Sequence, residues 1–364
     1  MQDNKHNYIY YGTEANASEV MAFVQHIFQT NQEGSHKSPI CIWGRHGIGK
    51  TEIVAEIAQR NGYEFAYIAP AQFEEMGDLV GMPIIENGVT SFKAPAWVPT
   101  SEKPGILLID DVNRADDRIL RGIMQLLQNY ELVSWKLPTQ WQIVLTANPD
   151  GGDYSVTPMD DAMLTRMMHI TLSFDVKEWA KWAEANDIDE RGIHFVLTYP
   201  ESINGERTTP RTLVHFFESI KSIKDLKKKR KLVKLLADST LDKHTAIAFL
   251  AFVDQNLSAL PTPLEILGAK DFATSIKHSI VEMTQGEVIR VDILATLCTR
   301  MVNYLNQHSK KLNAAQLSNL QAFVLLDGLP NDLRLAMAQD IMDGNNQSAK
   351  AIFSEPAIGA LLLG

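Results

Sequence analysis

Short apolar runs alternate with helical stretches between residues 40 and 172. The runs have the length of strands, and several of the stretches between them carry apolar residues at helical spacing, as residues 52–60 do. This alternation predicts an α/β unit built on a mostly parallel sheet. Ligands of such sheets bind at the carboxyl ends of the strands. The five candidate strands are residues 40–43, 65–69, 106–109, 143–146 and 169–172.

Two inserts interrupt the alternation, and both predict hairpins. In residues 81–100, a turn signal at residues 86–88 lies between apolar runs. In residues 130–141, we expect the bend near residues 137–139. The aromatic side chains in or beside these inserts either pack locally or offer a contact surface. They are Phe73, Phe92, Trp97, Trp135 and Trp141.

From Val176 onward the strand pattern disappears, and we expect only helices. Breaks near residues 199–205, 260–263 and 329–332 divide this helical part. The run of basic residues at 227–231 is typical of a solvated helix face.

A glycine-rich loop follows the first candidate strand. It reads, in order, Gly44, Arg45, His46, Gly47, Ile48, Gly49, Lys50 and Thr51. This fits the phosphate-loop pattern G-x-x-x-x-G-K-[ST], in which backbone N–H groups and a helix N-terminus bind phosphates. We expect Lys50 to reach the β- and γ-phosphates and Thr51 to offer its hydroxyl to Mg²⁺. The expected nucleotide-binding residues are the eight loop residues and Glu52, with His46 as a variable position.

Two carboxylates end the apolar run at residues 106–109. Asp110 and Asp111 follow it directly. Downstream of a phosphate loop, this position predicts that Asp110 holds Mg²⁺, often through water. Asp111 lies where a general base for the attacking water would be. The sequence therefore predicts a site for ATP and Mg²⁺.

Five motifs in family order resemble the MoxR branch of the AAA+ ATPases. The loop is the first of them. Residues 110–115 are similar to the Walker B signature D-E-[IV]-N-R-A. Residues 145–149 resemble the sensor-1 segment, residues 160–167 the arginine-finger segment, and residues 209–212 the sensor-2 segment. The resemblance covers residues 40–212 and fades beyond them.

The resemblance implies a fold and a domain organisation. The fold is α/β: an AAA+ P-loop NTPase core, with a parallel five-stranded sheet flanked by helices, then an all-α lid and an extra C-terminal helical region. The expected divisions are an N-terminal segment with a helix (1–38), the nucleotide-binding core (39–174), the lid with sensor 2 (175–240) and a helical region of unassigned family (241–364).

The resemblance also implies roles for residues outside the loop. Asn148 would orient the attacking water, and Arg166 would be a finger that acts on the nucleotide of the adjacent subunit. Arg211 would read the nucleotide state from the lid. These roles imply a ring, most often a hexamer, whose contacts change when ATP is hydrolysed. The two inserts would line the pore side of that ring and touch partners or substrates.

The chain departs from the family pattern at two positions. Asp111 stands where Glu is usual and is one methylene shorter, so we expect slow hydrolysis unless the site relaxes to compensate. Met167 stands where Phe is common, which concerns packing more than charge. Arg114 has two open interpretations, a contact with a neighbouring subunit or a surface salt bridge with Asp116 or Asp117.

Composition narrows the class of protein further. The 364 residues are ordinary in apolar and charged content for a globular protein, and they suggest two or three units. The net charge of −10 disfavours nonspecific binding to nucleic acid. Cys41 and Cys298 form no disulfide framework, and Cys41 is expected to be a small buried thiol. Residues 1–7 are polar and no stretch is suited to span a bilayer, so we expect a cytoplasmic protein without a membrane association.

We therefore predict a MoxR-type AAA+ ATPase that hydrolyses ATP between the subunits of a ring. It would remodel or activate a client protein as a chaperone does, with a von Willebrand factor A domain protein as its partner. Three alternatives stay open: an ATP-binding scaffold with slow or no hydrolysis, the AAA+ subunit of a metal chelatase, and a nucleic-acid motor. The last is supported only by residues 227–231 and is opposed by the net charge.

Overall fold

A computed structural model gives the fold as two compact units, Met1–Asp175 and Val176–Gly364, and each is considered on its own. The polar residues 1–7 lie outside the part that the structure describes. The described residues are 9–33, 37–133, 135–150, 156–200, 203, 207–255, 260–284, 290–307, 311–344 and 346–360.

The first unit is built on a parallel sheet. Its strands, together with those of two small hairpins, are β1 (Thr13–Ala15), β2 (Ile40–Trp43), β3 (Glu64–Ile68), β4 (Met82–Glu86), β5 (Val89–Lys93), β6 (Gly105–Ile109), β7 (Glu131–Leu132), β8 (Trp135–Lys136), β9 (Trp141–Ala147) and β10 (Met168–Leu172). Within the described residues the sheet has six parallel strands in the order β1-β10-β2-β9-β6-β3.

The sheet has one strand more than the predicted five. The additional strand, β1, pairs with β10 at the edge, with Thr13 opposite Ile170. The sequence shows no apolar run at this strand, because it is three residues long and only Ala15 is buried. The other five lie where apolar runs predicted them, with ends that differ by at most two residues.

Helices cover both faces of the sheet. Alternate side chains of β6 enter two separate clusters: Ile106 and Leu108 pack with residues from α1 and α2, and Leu107 and Ile109 pack with residues from α4. A strand that is buried on both faces is apolar at nearly every position, which is why the runs were visible in the sequence. The helices of this unit are α1 (Ala17–Glu33), α2 (Lys50–Asn61), α3 (Met76–Val80), α4 (Asp117–Asn129) and α5 (Asp161–Leu164), with 3-10 turns at Pro70–Gln72 and Val112–Arg114.

Both predicted hairpins form, but the second bends at a different place. Strands β4 and β5 pair antiparallel around Asn87 and Gly88, as predicted. Strands β7 and β8 flank residues 133–134, whereas the sequence had suggested a bend near 137–139. Leu137 and Pro138 are buried, and the Leu137 N–H donates to the Tyr130 carbonyl at 2.8 Å. The apolar Leu-Pro pair therefore anchors the base of this hairpin.

Most of the aromatic side chains near the inserts pack locally. Trp97 lies 6.4 Å from Phe73 and 5.3 Å from Trp135 between ring centroids, and its Nε1 donates to the Asp78 carbonyl. Trp141 is the buried first residue of β9 and donates to the Ser101 carbonyl at 2.8 Å. For these residues the packing alternative holds.

The second unit is helical wherever the structure describes it, as predicted from Val176 onward. Its basic run at residues 227–231 is exposed, and two residues of the run form ion pairs with acids outside it, Lys228 with Asp225 and Arg230 with Asp254. Among the described residues, no helix is long and apolar enough to cross a bilayer. The elements are α6 (Val176–Ala185), α7 (Glu190–Thr198), α8 (Pro210–Ile220), α9 (Arg230–Thr240), α10 (Lys243–Asp254), α11 (Pro263–Gly268), a π-helix (Phe272–Lys277), α12 (His278–Thr284), α13 (Val291–Gln307), α14 (Ala314–Val324), α15 (Asn331–Asp343), a 3-10 helix (Ala349–Ser354) and α16 (Pro356–Gly359).

A buried charged cluster joins three helices of the second unit. The Arg300 guanidinium of α13 is almost fully buried and lies 3.5 Å from the Glu184 carboxylate and 3.4 Å from the Glu190 carboxylate. It also contacts Nε2 of His194. Burial raises the pKa of Glu184 to about 7 against the opposing effect of Arg300. Burial and the Arg300 charge hold the pKa of His194 well below its usual value.

The raised pKa of Glu184 predicts a pH-dependent stability of the second unit. Because the folded pKa lies above the unfolded value of 4.5, the contribution of Glu184 is complete below pH 4.5 and is lost as the pH rises through about 7. The depressed His194 pKa acts in the opposite direction, but it does so equally in a Glu184→Gln variant. Relative to that variant, the second unit of the unaltered chain should lose on the order of 3 kcal/mol of unfolding free energy between pH 4.5 and 8.

Cys298 lies on the same helix as Arg300 and reports local opening. It is buried, and burial raises the pKa of its thiol to about 12, so it reacts when the helix opens. The measurement is the ratio of Cys298 labelling rates by a dithiodipyridine in the two proteins at each pH, located by peptide mass spectrometry. As the pH rises, the Cys298 labelling rate should increase more in the unaltered chain than in the variant. A constant ratio would refute the assignment.

Candidate functional site

The glycine-rich loop links β2 to α2 at the carboxyl end of the sheet. The Gly44 N–H donates to the Ala147 carbonyl at the end of β9, which fixes the start of the loop. Gly47 and Gly49 have φ angles of 70° and 105°, in the region that side-chain-bearing residues rarely adopt. Gly49 caps α2, whose first residue is Lys50. The loop therefore has the strand–loop–helix setting that its sequence predicted.

Lys50 lies at the centre of the site. Its side chain is buried, and its Nζ donates to the Gly44 carbonyl at 2.8 Å, to the Arg45 carbonyl at 3.2 Å and to Oδ1 of Asn148 at 3.2 Å. A buried ammonium directed into the loop attracts anions strongly, because little water screens it.

Asp110 lies beside Thr51, as a shared metal site would require. One carboxylate oxygen, Oδ1, accepts from the Thr51 hydroxyl at 2.8 Å and from the Thr146 hydroxyl at 2.6 Å. The other oxygen accepts from the Tyr67 hydroxyl at 3.2 Å. Burial, followed by the Asp110 charge, raises the pKa of Tyr67, so its phenol keeps the proton that it donates. Hydroxyl and carboxylate oxygens are the ligands that Mg²⁺ prefers, so these residues fit the metal.

Asp111 is held on both sides. Its Oδ1 accepts from Nδ2 of Asn148 at 2.9 Å, and its Oδ2 lies 3.3 Å from Nε of Arg114. Its N–H donates to the Thr146 hydroxyl at 2.8 Å. With φ 47° and ψ 47°, Asp111 adopts the left-handed conformation, which costs a non-glycine residue free energy and is found at functional sites.

The salt bridge considered between Arg114 and Asp116 or Asp117 does not form. Its guanidinium pairs with Asp111, and the two acids proposed as its salt-bridge partners, Asp116 and Asp117, pair with Arg118 and Arg121 instead. The 3-10 turn Val112–Arg114 is tighter than a helix, and it folds Arg114 back onto the residue three positions earlier.

The remaining loop residues have peripheral places. Arg45 and His46 are exposed, and the Arg45 carbonyl is one of the acceptors of Lys50. Ile48 is half-buried against the cluster of α1 and α2, and Glu52 is exposed in the first turn of α2. These positions leave the backbone to form the inner surface of the loop.

Each of the two predicted arginines is described within its own unit. Arg166 follows α5. Its guanidinium contacts the Ala162 carbonyl, and its Nη2 lies 3.2 Å from Oε1 of Gln128 on α4. Arg211 is exposed in the first turn of α8, after the cap residue Thr209 in the second unit. The first unit thus brings together Lys50, Thr51, Asp110, Asp111 and Asn148. Roles for Arg166 and Arg211 stay predictions.

Two contact residues of the site were not assigned from the sequence. Thr146 bonds to both acids through one hydroxyl, and Tyr67 bonds to Asp110 from β3. A polar residue near the carboxyl end of the mostly apolar β9 was a visible signal for Thr146. Tyr67 carried no such signal, because aromatic residues are common in strands.

Comparison with known proteins finds matches to part of this chain. Residues 39–167 match the AAA domain of the dynein-related subfamily. Midasin of Giardia intestinalis is 24% identical over 175 residues, which are 44% of this chain and 4% of the length of Midasin.

Two solved structures are similar to this chain at low sequence identity and with TM-scores below 0.5. The Thermotoga maritima RuvB Holliday junction branch migration motor has a TM-score of 0.37 and 14% identity, over 69% of this chain and 74% of that chain. Hsp104 in its closed state has a TM-score of 0.43 and 15% identity, over 60% of this chain and 46% of that chain.

Residues 39–167 of the first unit thus match an AAA domain, and the predicted fold class is confirmed, with a parallel sheet flanked by helices and a helical region following the core. The match spans β2 through Arg166 and Met167, so it includes the loop, both acids and Asn148. Assignment to the MoxR branch stays a prediction.

Replacing Lys50 should weaken ATP binding selectively. We expect Lys50→Ala to raise the Kd for a fluorescent ATP analogue roughly 10- to 100-fold, because a hydrogen bond to a charged group contributes about 1.5–3 kcal/mol. Lys103→Ala is the matched control, since Lys103 is an exposed lysine paired at 3.9 Å with Glu64. Equal affinities of the two variants would place the nucleotide elsewhere.

Proposed function

We propose that this chain is a MoxR-type AAA+ ATPase that hydrolyses ATP between the subunits of a ring and uses the cycle to remodel or activate a client protein. The observation that carries the ATPase proposal is a continuous polar chain across the site: Lys50 donates to Asn148, and Asn148 donates to Asp111. One side chain thus touches both the lysine expected at the phosphates and the expected base.

Each residue of the site has a place in this reaction. The loop backbone and Lys50 bind the phosphates, and Thr51 and Asp110 would hold Mg²⁺. When bound, Mg²⁺ neutralises charge on the phosphate oxygens. Asn148 orients the attacking water, and Asp111 accepts its proton. Thr146 and Tyr67 keep the Asp110 carboxylate in place through hydrogen bonds to both of its oxygens.

The neighbouring subunit would complete the site. Arg166 lies beyond α5 and on Gln128, apart from the polar chain of its own subunit. This supports the proposal that it acts on the nucleotide of an adjacent copy, most often in a hexamer. Arg211 would couple the nucleotide state to a lid formed by residues 175–240, with residues 241–364 as a further helical region.

The hairpin of β4 and β5 supports contact with a client or partner. Met82, Ile85 and Val89 are exposed large apolar side chains on its two strands, and Ile85 has 79% of its surface accessible. The register places Ile85 on one face of the hairpin and Met82 and Val89 on the other, so both faces offer an apolar side chain for such a contact. We propose a von Willebrand factor A domain protein as the partner and a cytoplasmic location.

One observation favours a second candidate, an ATP-binding scaffold with slow or no hydrolysis. Asp111 is shorter than the usual Glu, and Arg114 pairs with its Oδ2. A base held in this way has less freedom to reach the water.

Changes at Asp111 separate the two candidates. For an ATPase, Asp111→Asn should lower kcat about 10²-fold or more, because a general base contributes 10²–10⁴. Asp111→Glu should raise kcat, since the added methylene extends the carboxylate toward the water. Both are measured as phosphate release with saturating ATP and Mg²⁺. Asp117→Asn is the control, an exposed acid of α4. Bound ATP with no turnover in any of these proteins would favour the scaffold.

Mixing two inactive variants tests the arginine finger. Lys50→Ala and Arg166→Ala should each be nearly inactive, the latter by about 10³-fold or more. In a mixed ring, an Arg166→Ala subunit beside a Lys50→Ala subunit has one intact site, so the mixture should exceed either variant alone. The control is each variant mixed with the double variant. If mixing restores nothing, Arg166 does not act between subunits.

A further inference from the structure

Asn113 holds the backbone of Asn148 through two hydrogen bonds. Its Nδ2 donates to the Asn148 carbonyl at 2.8 Å, and its Oδ1 accepts from the Asn148 N–H at 3.1 Å. The side chain is 2% exposed, so water competes little for either bond. An amide that bonds both polar groups of one peptide residue reproduces the pairing of a neighbouring strand.

This clamp lies where the sheet no longer supports the chain. Strand β9 ends at Ala147, and its neighbour β6 ends at Ile109, four residues before Asn113. Past these ends the ladder does not continue to hold Asn148. A backbone group buried without a partner costs free energy, so Asn113 both satisfies the Asn148 peptide groups and fixes their direction.

The direction of Asn148 decides what its side chain can reach. Its Oδ1 accepts from Lys50 at 3.2 Å and its Nδ2 donates to Asp111 at 2.9 Å. Rotation of the backbone would move both ends of this amide, and displacements of about 1 Å can cost 10²-fold in rate.

The same turn also holds the chain that leads to Arg166. The Asn113 carbonyl accepts from the Thr157 N–H at 2.8 Å, and the Ala115 carbonyl accepts from the Thr157 hydroxyl at 2.7 Å. Thr157 precedes Asp160, which caps α5, and Arg166 follows that helix. The turn at Val112–Arg114 and the adjacent Ala115 are thus bonded to Asn148 and Thr157. These two residues lie on either side of residues 151–155, which are outside the described part of the chain.

We propose that Asn113 is a positioning residue for hydrolysis, which keeps the Asn148 amide between Lys50 and Asp111 without touching the reacting atoms. The proposal rests on the ATPase function proposed above. Loss of a positioning residue should lower kcat and leave the binding of ATP by the loop unchanged. Loss of a residue with only a packing role would lower stability instead.

Asn31 offers a matched control within the same unit. It is 5% exposed and clamps the Ser38 backbone in the same way, with its Oδ1 accepting from the N–H at 3.0 Å and its Nδ2 donating to the carbonyl at 3.2 Å. It also donates to Gln142, near the amino end of β9 and thus at the opposite end of that strand from Asn148. Loss of either clamp should lower the melting temperature by a similar amount.

The experiment compares kcat, KM for ATP and melting temperature in Asn113→Ala and Asn31→Ala. We expect Asn113→Ala to lose kcat about 10- to 100-fold with little change in KM, and Asn31→Ala to keep both values. Asn113→Asp is the second variant. It keeps the shape and the acceptor for the Asn148 N–H, but it sets an oxygen against the Asn148 carbonyl, so kcat should stay low.

Three results would overturn the inference. The first is a kcat for Asn113→Ala equal to that of Asn31→Ala while the unaltered chain turns over ATP. The second is a loss in Asn113→Ala that follows only its folded fraction, and the third is full turnover in Asn113→Asp. If the unaltered chain binds ATP and never hydrolyses it, the proposed function itself fails, and the inference that rests on it fails with it.

Discussion

Strands β6 and β9 pair in parallel with Ile109 opposite Leu145, and the chemistry beyond them depends on that register. It brings Asp110 beside Thr146, whose hydroxyl binds the Asp110 carboxylate and the Asp111 N–H, and it brings Asn148 to Asp111. A slip of one residue would turn Thr146 to the other face of the sheet and remove these bonds together. Burial of both faces resists such a slip, because it would carry polar side chains into the core.

From this pair of strands the site extends in two directions through neighbouring elements. On one side, β2 delivers the glycine-rich loop, and Lys50 reaches across to Asn148. On the other side, the 3-10 turn after Asp111 binds the Asn148 backbone through Asn113 and the chain before α5 through Thr157. A short series of hydrogen bonds therefore joins Lys50 to the chain that leads to Arg166.

Much of the fold could be predicted because strands buried on both faces are mostly apolar, as β2 and β6 are at every position and β9 is at all but Gln142 and Thr146. The edge strand β1 could not, since two of its three residues are exposed. The loop and both acids were visible as motifs because phosphate and metal binding restrict residue types. The partner of Arg114 depended on the tightness of one turn, and the roles of Thr146 and Asn113 depended on contacts between separate segments. No pattern local in sequence encodes such contacts.

Hydrolysis of ATP by the unaltered chain is the central claim of the proposed function. The decisive measurement is phosphate release by the purified protein with saturating ATP, with Mg²⁺ and again after chelation of Mg²⁺. We predict steady release over many turnovers that requires Mg²⁺, since Thr51 and Asp110 share its expected site. ATP that stays bound and intact in the presence of Mg²⁺ would contradict the account.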